Sequence, residues 1–303
     1  MEIGMVGLGR MGASMGERLV RGGHRVMGYD LSGEAVRVAE KGGVEGAGSL
    51  AELAGALDTP RVVWMMVPAG LAVEATLEAL LPLLDRGDIV VDGGNSWYRD
   101  TIRRAELCAG AGVDLVDCGT SGGVWGLSEG YCLMVGGGEE AVAALHPILE
   151  TLAPSPGAGW GRVGPPGAGH FVKMIHNGIE YGLMEAYAEG FAILDAKSEL
   201  GLDLHQVAEI WRHGSVVRSW LLDLAAEALA DPEALMEIAP WVPDSGEGRW
   251  TVFEAIELNV PADVIASSLF RRIESRDRQE FADRLLAALR QGFGGHAVKM
   301  REG

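Results

Sequence analysis

A doubly wound α/β sheet domain followed by an all-helical domain is the fold class that this 303-residue sequence predicts. From residue 1 to about residue 169, short apolar runs alternate with amphipathic stretches, the rhythm of repeated strand–helix units around a parallel sheet. Several of those runs are apolar without alternation, as strands covered by helices on both faces must be. Beyond residue 169 the strand signals stop and a helical period takes over.

The elements follow in order. Strands are predicted at residues 3–6, 25–29, 62–67, 89–92, 115–117 and 131–135, all expected to run parallel. The stretch 154–169, with Pro154, Pro156, Pro165 and Pro166 among many glycines, breaks any regular element and sets a boundary near residue 165. Residues 1–165 form the expected first domain and 166–303 the second. Helices are predicted there at 170–200, 204–213, 217–230, 251–258, 262–276 and 277–291, with 292–303 as a tail.

Composition limits the partners. With 43 acidic against 25 basic residues the formal charge is -18, which repels nucleic-acid backbones and anionic membranes, so neither is an expected partner. A small anionic substrate needs a local cluster of Arg and Lys to overcome that field. Cys108, Cys118 and Cys132 form no C-x-x-C pair, and no leader or membrane-spanning stretch is evident, so a reducing, cytoplasmic setting is expected. No His, Cys and carboxylate grouping has metal-ligand spacing, and no metal is expected. His24, His146, His205 and His213 read as surface or capping residues, and Trp211 and Trp220 as core of the helical domain.

Gly7-Leu8-Gly9-Arg10-Met11-Gly12 fits G-x-G-x-x-G, directly after a strand and opening a helical pattern that runs to about Arg21. With 45 glycines in the chain the motif alone is weak, but this placement is that of a Rossmann-type dinucleotide site. Small residues let the chain turn tightly and bring backbone N–H groups to a pyrophosphate at the positive end of the helix. Asp30 ends the second strand, where a carboxylate accepts hydrogen bonds from adenine-ribose hydroxyls and repels the extra phosphate of NADP. NAD is therefore the expected cofactor, with NADP possible; the alternative for Asp30 is a turn or helix-capping residue. Val67, Pro68 and Asn95 complete the expected cofactor contacts.

Lys173, His176, Asn177, Glu180 and Tyr181 fall at i, i+3, i+4, i+7 and i+8, so they share one helix face. A core-facing stripe normally holds Leu, Ile and Met, and burying an amine, an imidazole, an amide and a carboxylate is costly unless they work. The plain alternative is a solvated stripe in which Lys173 pairs with Glu180.

The run from Gly169 through Lys173-Met174-Ile175-His176-Asn177-Gly178-Ile179-Glu180-Tyr181 closely resembles the signature of the decarboxylating 6-phosphogluconate dehydrogenases. The resemblance continues in order through Gly7–Gly12, Val91-Asp92-Gly93-Gly94-Asn95-Ser96, Ser121-Gly122-Gly123, Gly248-Arg249-Trp250-Thr251 and Phe293-Gly294-Gly295-His296. It implies Lys173 and Glu180 as the acid–base pair and a phosphorylated sugar acid as substrate. Asn95, Ser121, Gly122, Gly123, His176 and Asn177 would line the gluconate chain, while Tyr181, Arg249 and Arg272 would hold the phosphate. Arg290 and His296 match positions that complete the phosphate pocket of a neighbouring subunit, implying a homodimer or homotetramer whose C-terminal tail finishes its neighbour's site.

The chain resembles the short form of the family, without the duplicated helices of the long enzymes. Val124-Trp125 stands where long forms carry acidic residues, and Trp125 is placed beside the substrate. Arg249 replaces the commoner Lys and can grip a phosphate with two N–H groups. Tyr29-Asp30 replaces the Asn-Arg of NADP-dependent members, again favouring NAD. The resemblance implies a neutral Lys173 that takes the hydroxyl proton, then in protonated form supports the oxyanion during CO2 loss, and a Glu180 that returns a proton to C1. Burial and a positively charged nicotinamide both favour the neutral amine. Two rivals differ in kind: a relative acting on a non-phosphorylated hydroxyacid such as 3-hydroxyisobutyrate, and a non-catalytic NAD-binding sensor.

Overall fold

A computed structural model describes residues 1–276 and 280–294 of the chain. Eight strands, β1 (Glu2–Val6), β2 (Arg25–Tyr29), β3 (Glu45–Gly46), β4 (Val62–Met65), β5 (Ile89–Asp92), β6 (Asp114–Ser121), β7 (Cys132–Gly136) and β8 (Trp160–Gly164), form one sheet in the order β3-β2-β1-β4-β5-β6-β7-β8. Interleaved helices are α1 (Arg10–Arg21), α2 (Gly33–Glu40), α3 (Leu50–Gly55), α4 (Leu71–Leu80), α5 (Tyr98–Ala111), α6 (Gly126–Glu129), α7 (Glu139–Ala144) and α8 (His146–Leu152). Ile3, Met5, Trp64 and Val91 bury one face of the sheet together with Met15 and Leu19 of α1 and Ile148 of α8. Val6, Val63 and Val90 bury the other with Leu53 of α3, Leu77 of α4 and Cys108 of α5. Coverage on both faces is why these strands read as unbroken apolar runs.

Three sequence expectations need correction here. Not every strand is parallel: β7 runs antiparallel to β6. Only residues 122–131 join the two, too short for the crossover that a parallel pair needs. The segment 154–169 is not free of regular structure either, since β8 lies inside it and pairs in parallel with β7. β8 is a glycine-containing edge strand, exposed or half-buried along its length, and so lacks the apolar run that marks the others. His24, read as a surface or capping residue, is buried, with its Nε2 2.9 Å from Thr151 Oγ1.

The chain divides into two compact units between His176 and Asn177, inside the long helix α9 (Ala168–Ala196). The second unit continues with α10 (Leu204–Arg212), α11 (Trp220–Leu229), α12 (Pro232–Glu237), α13 (Glu247–Glu257), α14 (Asp263–Arg276) and α15 (Glu280–Gly294), and among its described residues there is no strand. Phe191, Ala208, Leu222 and Ala226 form its small core, with Tyr187 and Trp211 packed against them. Trp220, expected in that core, is instead half-exposed at the start of α11. No described helix is long and apolar enough to cross a membrane.

Candidate active site

Strand order reverses between β1 and β4, and a cleft of about 700 Å³ opens there beyond the strand ends, where a doubly wound sheet takes its ligand. The glycine loop explains its own composition. Gly7 has φ 91°, and a Cβ on it would sit 2.5 Å from Met66 O. A Cβ on Gly12 would sit 2.0 Å from Gly7 O, so only glycine lets α1 pack this close to the strand. Gly9 meets nothing within 4 Å, leaving open space over the N-terminus of α1, whose first turn has no acidic residue and whose cap has no side-chain hydrogen bond. That combination suits a pyrophosphate.

Arg10, Met11, Val67 and Pro68 line the same cleft with those glycines. Leu8 acts behind the wall, donating its N–H to Asp30 Oδ2 at 2.7 Å, while Ser32 N donates to Asp30 Oδ1 at 2.8 Å. Asp30 thus closes a turn, Ser32 caps α2, and Asp30 still faces the cleft. The turn reading of Asp30 is thus met, and its place in the cleft wall leaves the carboxylate beside the space a nucleotide would take. Of the Asn95 loop, Gly94 lines the cleft and Asn95 itself is exposed.

The expected base is set by backbone geometry. Asp117, fully buried in β6, accepts Gly167 N at 2.6 Å and His170 N at 2.7 Å, satisfying two of the free donors at the start of α9. His170 Nδ1 lies 2.8 Å from Thr101 Oγ1 on α5. Gly119, Gly136 and Gly169 let helix and sheet touch: a Cβ on Gly119 would fall 2.4 Å from Lys173 Cβ, and one on Gly169 2.4 Å from Met134 O. Lys173 is 6% exposed, and its Nζ lies 3.4 Å from His176 Nδ1. Ser121 ends β6, and Gly122 and Gly123 follow with φ 135° and 51°, backbone that few other residues adopt. Trp125 is exposed in the turn that follows.

Along α9 the usual amphipathic order is inverted. Lys173, Asn177 and Tyr181 are all buried, whereas Ile179, Leu183 and Met184 are 52%, 47% and 41% exposed. The solvated-stripe alternative is therefore overturned. Glu180 is half-buried on the same helix, two turns beyond Lys173.

In the second unit, α9 and α13 approach through small residues, Gly178 against Thr251 and Gly248 against the Tyr181 ring. Tyr181 Oη lies 3.2 Å from Ser245 Oγ, and the Arg272 guanidinium stacks 3.4 Å from the Tyr181 ring centroid. Arg272 Nη1 donates to Pro243 O. Arg249 donates through Nε and Nη2 to Asp244 Oδ2, at 3.1 and 2.6 Å, and Arg276 Nη2 is 3.7 Å from the same oxygen. Tyr181, Arg249 and Arg272 are thus gathered at one turn, residues 243–245. Asp244 and Arg276 were not singled out from the sequence, although Arg276 stands one helical turn from Arg272. Arg290 is exposed on α15, and His296 lies outside the described residues. Among the described residues no group of three or more His, Cys, Asp or Glu could hold a metal ion.

The family model for the NAD binding domain of 6-phosphogluconate dehydrogenase matches residues 2–161, and that for the 6-phosphogluconate dehydrogenase C-terminal domain matches 169–300. An NAD(+)-dependent, decarboxylating 6-phosphogluconate dehydrogenase of Haloferax volcanii is 46% identical over the whole of both chains. The decarboxylating enzyme of Staphylococcus aureus is 38% identical over 92% of this chain and 62% of its own length. The structure of Plasmodium falciparum 6-phosphogluconate dehydrogenase, studied with NADP+ and with 6-phosphogluconate, superposes with a TM-score of 0.84 at 30% identity, over 100% of this chain and 67% of that one. With the glycine loop, the buried lysine helix and the arginine-lined turn all in place, these matches establish that the chain belongs to the 6-phosphogluconate dehydrogenase family.

Proposed function

We propose that this chain is the decarboxylating dehydrogenase that converts 6-phosphogluconate to ribulose 5-phosphate and CO2, with NAD as the preferred acceptor. The observation that carries this reading is the buried polar face of α9, where Lys173, Asn177 and Tyr181 point inward while apolar neighbours face out. Such an arrangement costs folding energy and persists where the polar groups meet a ligand. The cleft beside Gly9 fits a dinucleotide, held by the Gly7–Gly12 loop, Val67 and Pro68. When bound, its nicotinamide ring supplies the acceptor for the hydride leaving C3 of the sugar acid.

The protein's own groups do the rest. Lys173 Nζ, buried on α9 and acting as the neutral amine, removes the C3 hydroxyl proton. The resulting ammonium then donates a hydrogen bond to the C3 oxygen as the C1–C2 bond breaks and CO2 leaves with its electrons stored in an enediol. Glu180 delivers a proton to C1 of that enediol. Ser121, Gly122 and Gly123, with Asn95, His176 and Asn177, hold the gluconate hydroxyls and carboxylate. Tyr181, Arg249 and Arg272 hold the phosphate through charge-assisted hydrogen bonds. The Asp30 carboxylate favours NAD over NADP by repelling a 2′-phosphate, in line with the NAD(+) dependence named for the Haloferax relative.

The working form is a homo-oligomer. Ile179 and Leu183 on α9, with Phe253 and Ile256 on α13 and Phe270 on α14, are exposed apolar side chains in a single chain, the kind that an interface between subunits covers. Arg290 and the tail residue His296 then belong to the neighbouring subunit's phosphate pocket.

The test is to follow reduced nicotinamide with 6-phosphogluconate, offering NAD and NADP separately, and to assay ribulose 5-phosphate and CO2. Turnover favouring NAD is expected. Turnover favouring NADP overturns the role of Asp30, and turnover only with a non-phosphorylated hydroxyacid overturns the substrate.

A further inference from the structure

We propose that Arg104, buried beside the nucleotide cleft, is a positioning residue that locks together the two loops flanking the nicotinamide end of the site. The inference rests on the dehydrogenase reading above.

Arg104 sits on α5 with no exposed surface. Its Nε donates to Glu74 Oε1 at 2.9 Å and its Nη2 to Gly70 O at 3.4 Å, which ties it to the first turn of α4 and to the loop that presents Val67 and Pro68. Its Nη1 lies 3.7 Å from Asp92 Oδ2, with no closer partner. Asp92, the last residue of β5 and 1% exposed, spends its other capacity on the next loop. Its Oδ1 accepts Gly94 N at 3.2 Å and its Oδ2 accepts Ser96 Oγ at 2.7 Å, so the carboxylate brackets Asn95 from both sides. Gly93 presses the same loop onto the sheet, where a Cβ would fall 2.1 Å from Trp64 Nε1.

One planar guanidinium thus reaches the loop after β4 on one edge and, on the other, lies 3.7 Å from the Asp92 carboxylate that holds the loop after β5. Burying an Arg and an Asp together rarely improves stability over apolar residues of the same volume. What it does supply is fixed geometry, and a point charge such as Lys cannot span both loops.

The test compares wild type with Arg104→Lys and with the charge-balanced double variant Arg104→Met/Asp92→Asn, which removes both buried charges should the single change fold poorly. Hydrogen exchange is read on peptides covering residues 66–71 and 92–97, NAD affinity by calorimetry, and kcat with its primary isotope effect on 3-deuterated 6-phosphogluconate. Both variants are expected to lose protection in the two segments together and to bind NAD more weakly. Their kcat should fall by about 10- to 100-fold, the scale of a misplaced reacting geometry, with a larger isotope effect. Wild-type protection in either segment with unchanged NAD affinity, or loss of melting temperature with kcat per folded molecule and isotope effect unchanged, overturns the proposal in favour of a purely structural Arg. If wild type itself fails to turn over 6-phosphogluconate, the functional reading falls alone, because exchange and NAD affinity still read Arg104.

Discussion

Gly119→Ala should disable catalysis without touching the nucleotide loop. An added Cβ would lie 2.4 Å from Lys173 Cβ, 3.1 Å from Lys173 Cγ and 2.9 Å from Gly169 O. Neither Lys173 Cβ nor the Gly169 carbonyl is a flexible tip that can swing aside. Ordinary contact begins near 3.4 Å, so the first turns of α9 must withdraw by about 1 Å. Displacing a reacting group by about 1 Å costs on the order of 100-fold in rate, and the overpacking costs about 1–3 kcal/mol of stability. The assay is kcat at saturating 6-phosphogluconate and NAD, beside calorimetric NAD affinity and a thermal melt. The expected result is a kcat lowered by about 100-fold, a modestly lower melting temperature and an NAD affinity near that of wild type. A kcat equal to wild type in a folded variant would refute the claim that the β6–α9 contact sets the lysine.

Two further outcomes follow from the same geometry. Lys173→Met should lower kcat by about 10²- to 10⁴-fold, the usual contribution of a general acid–base group, while NAD affinity by calorimetry stays near wild type; lost NAD affinity would count against a base that acts on substrate. Burial, with the nearby N-terminal ammonium, holds the His24 pKa below its ordinary 6.5, so the fold favours neutral imidazole. The unfolded chain then binds more protons between the two values: stability is complete above pH 6.5 and declines as pH falls through 6.5 toward the folded pKa. Urea midpoints across that range should flatten in His24→Gln, and an unchanged slope would show that another group titrates.

How much was legible in the sequence depends on where each constraint acts. The glycine loop was readable because its demands are local: Gly7, Gly9 and Gly12 answer to a turn, an open helix end and a close strand contact within six residues. The helix face from Lys173 to Tyr181 was readable because period alone places those side chains together. Whether that face looked inward was not, since burial depends on what packs against it, and the solvated alternative stayed open until Lys173, Asn177 and Tyr181 proved buried. Asp92, Arg104, Asp244 and Arg276 stood out least. Each looks like an ordinary charged residue in sequence, and its partner lies beyond the next element or across a turn, as with Arg104 and Gly70. β8 escaped because an edge strand needs no apolar run, and the direction of β7 because it is set by the shortness of residues 122–131 and not by the strand's own apolar pattern.

The inversion along α9 also links the proposed chemistry to the proposed assembly. A helix with one polar and one apolar face normally turns the apolar face to its own core. Here a polar face is buried, and the apolar residues Ile179 and Leu183 on another side of the helix stay exposed in their own chain. Mutating them to polar residues should therefore not disturb the interior, and should act on association instead. If the oligomer is what covers Ile179 and Leu183, concentration-dependent activity must appear in such variants while the Lys173 face, which lies on a different side of the same helix, remains unchanged. Activity that stays independent of concentration in a monomeric variant would separate the two faces and leave the neighbour's Arg290 without a role.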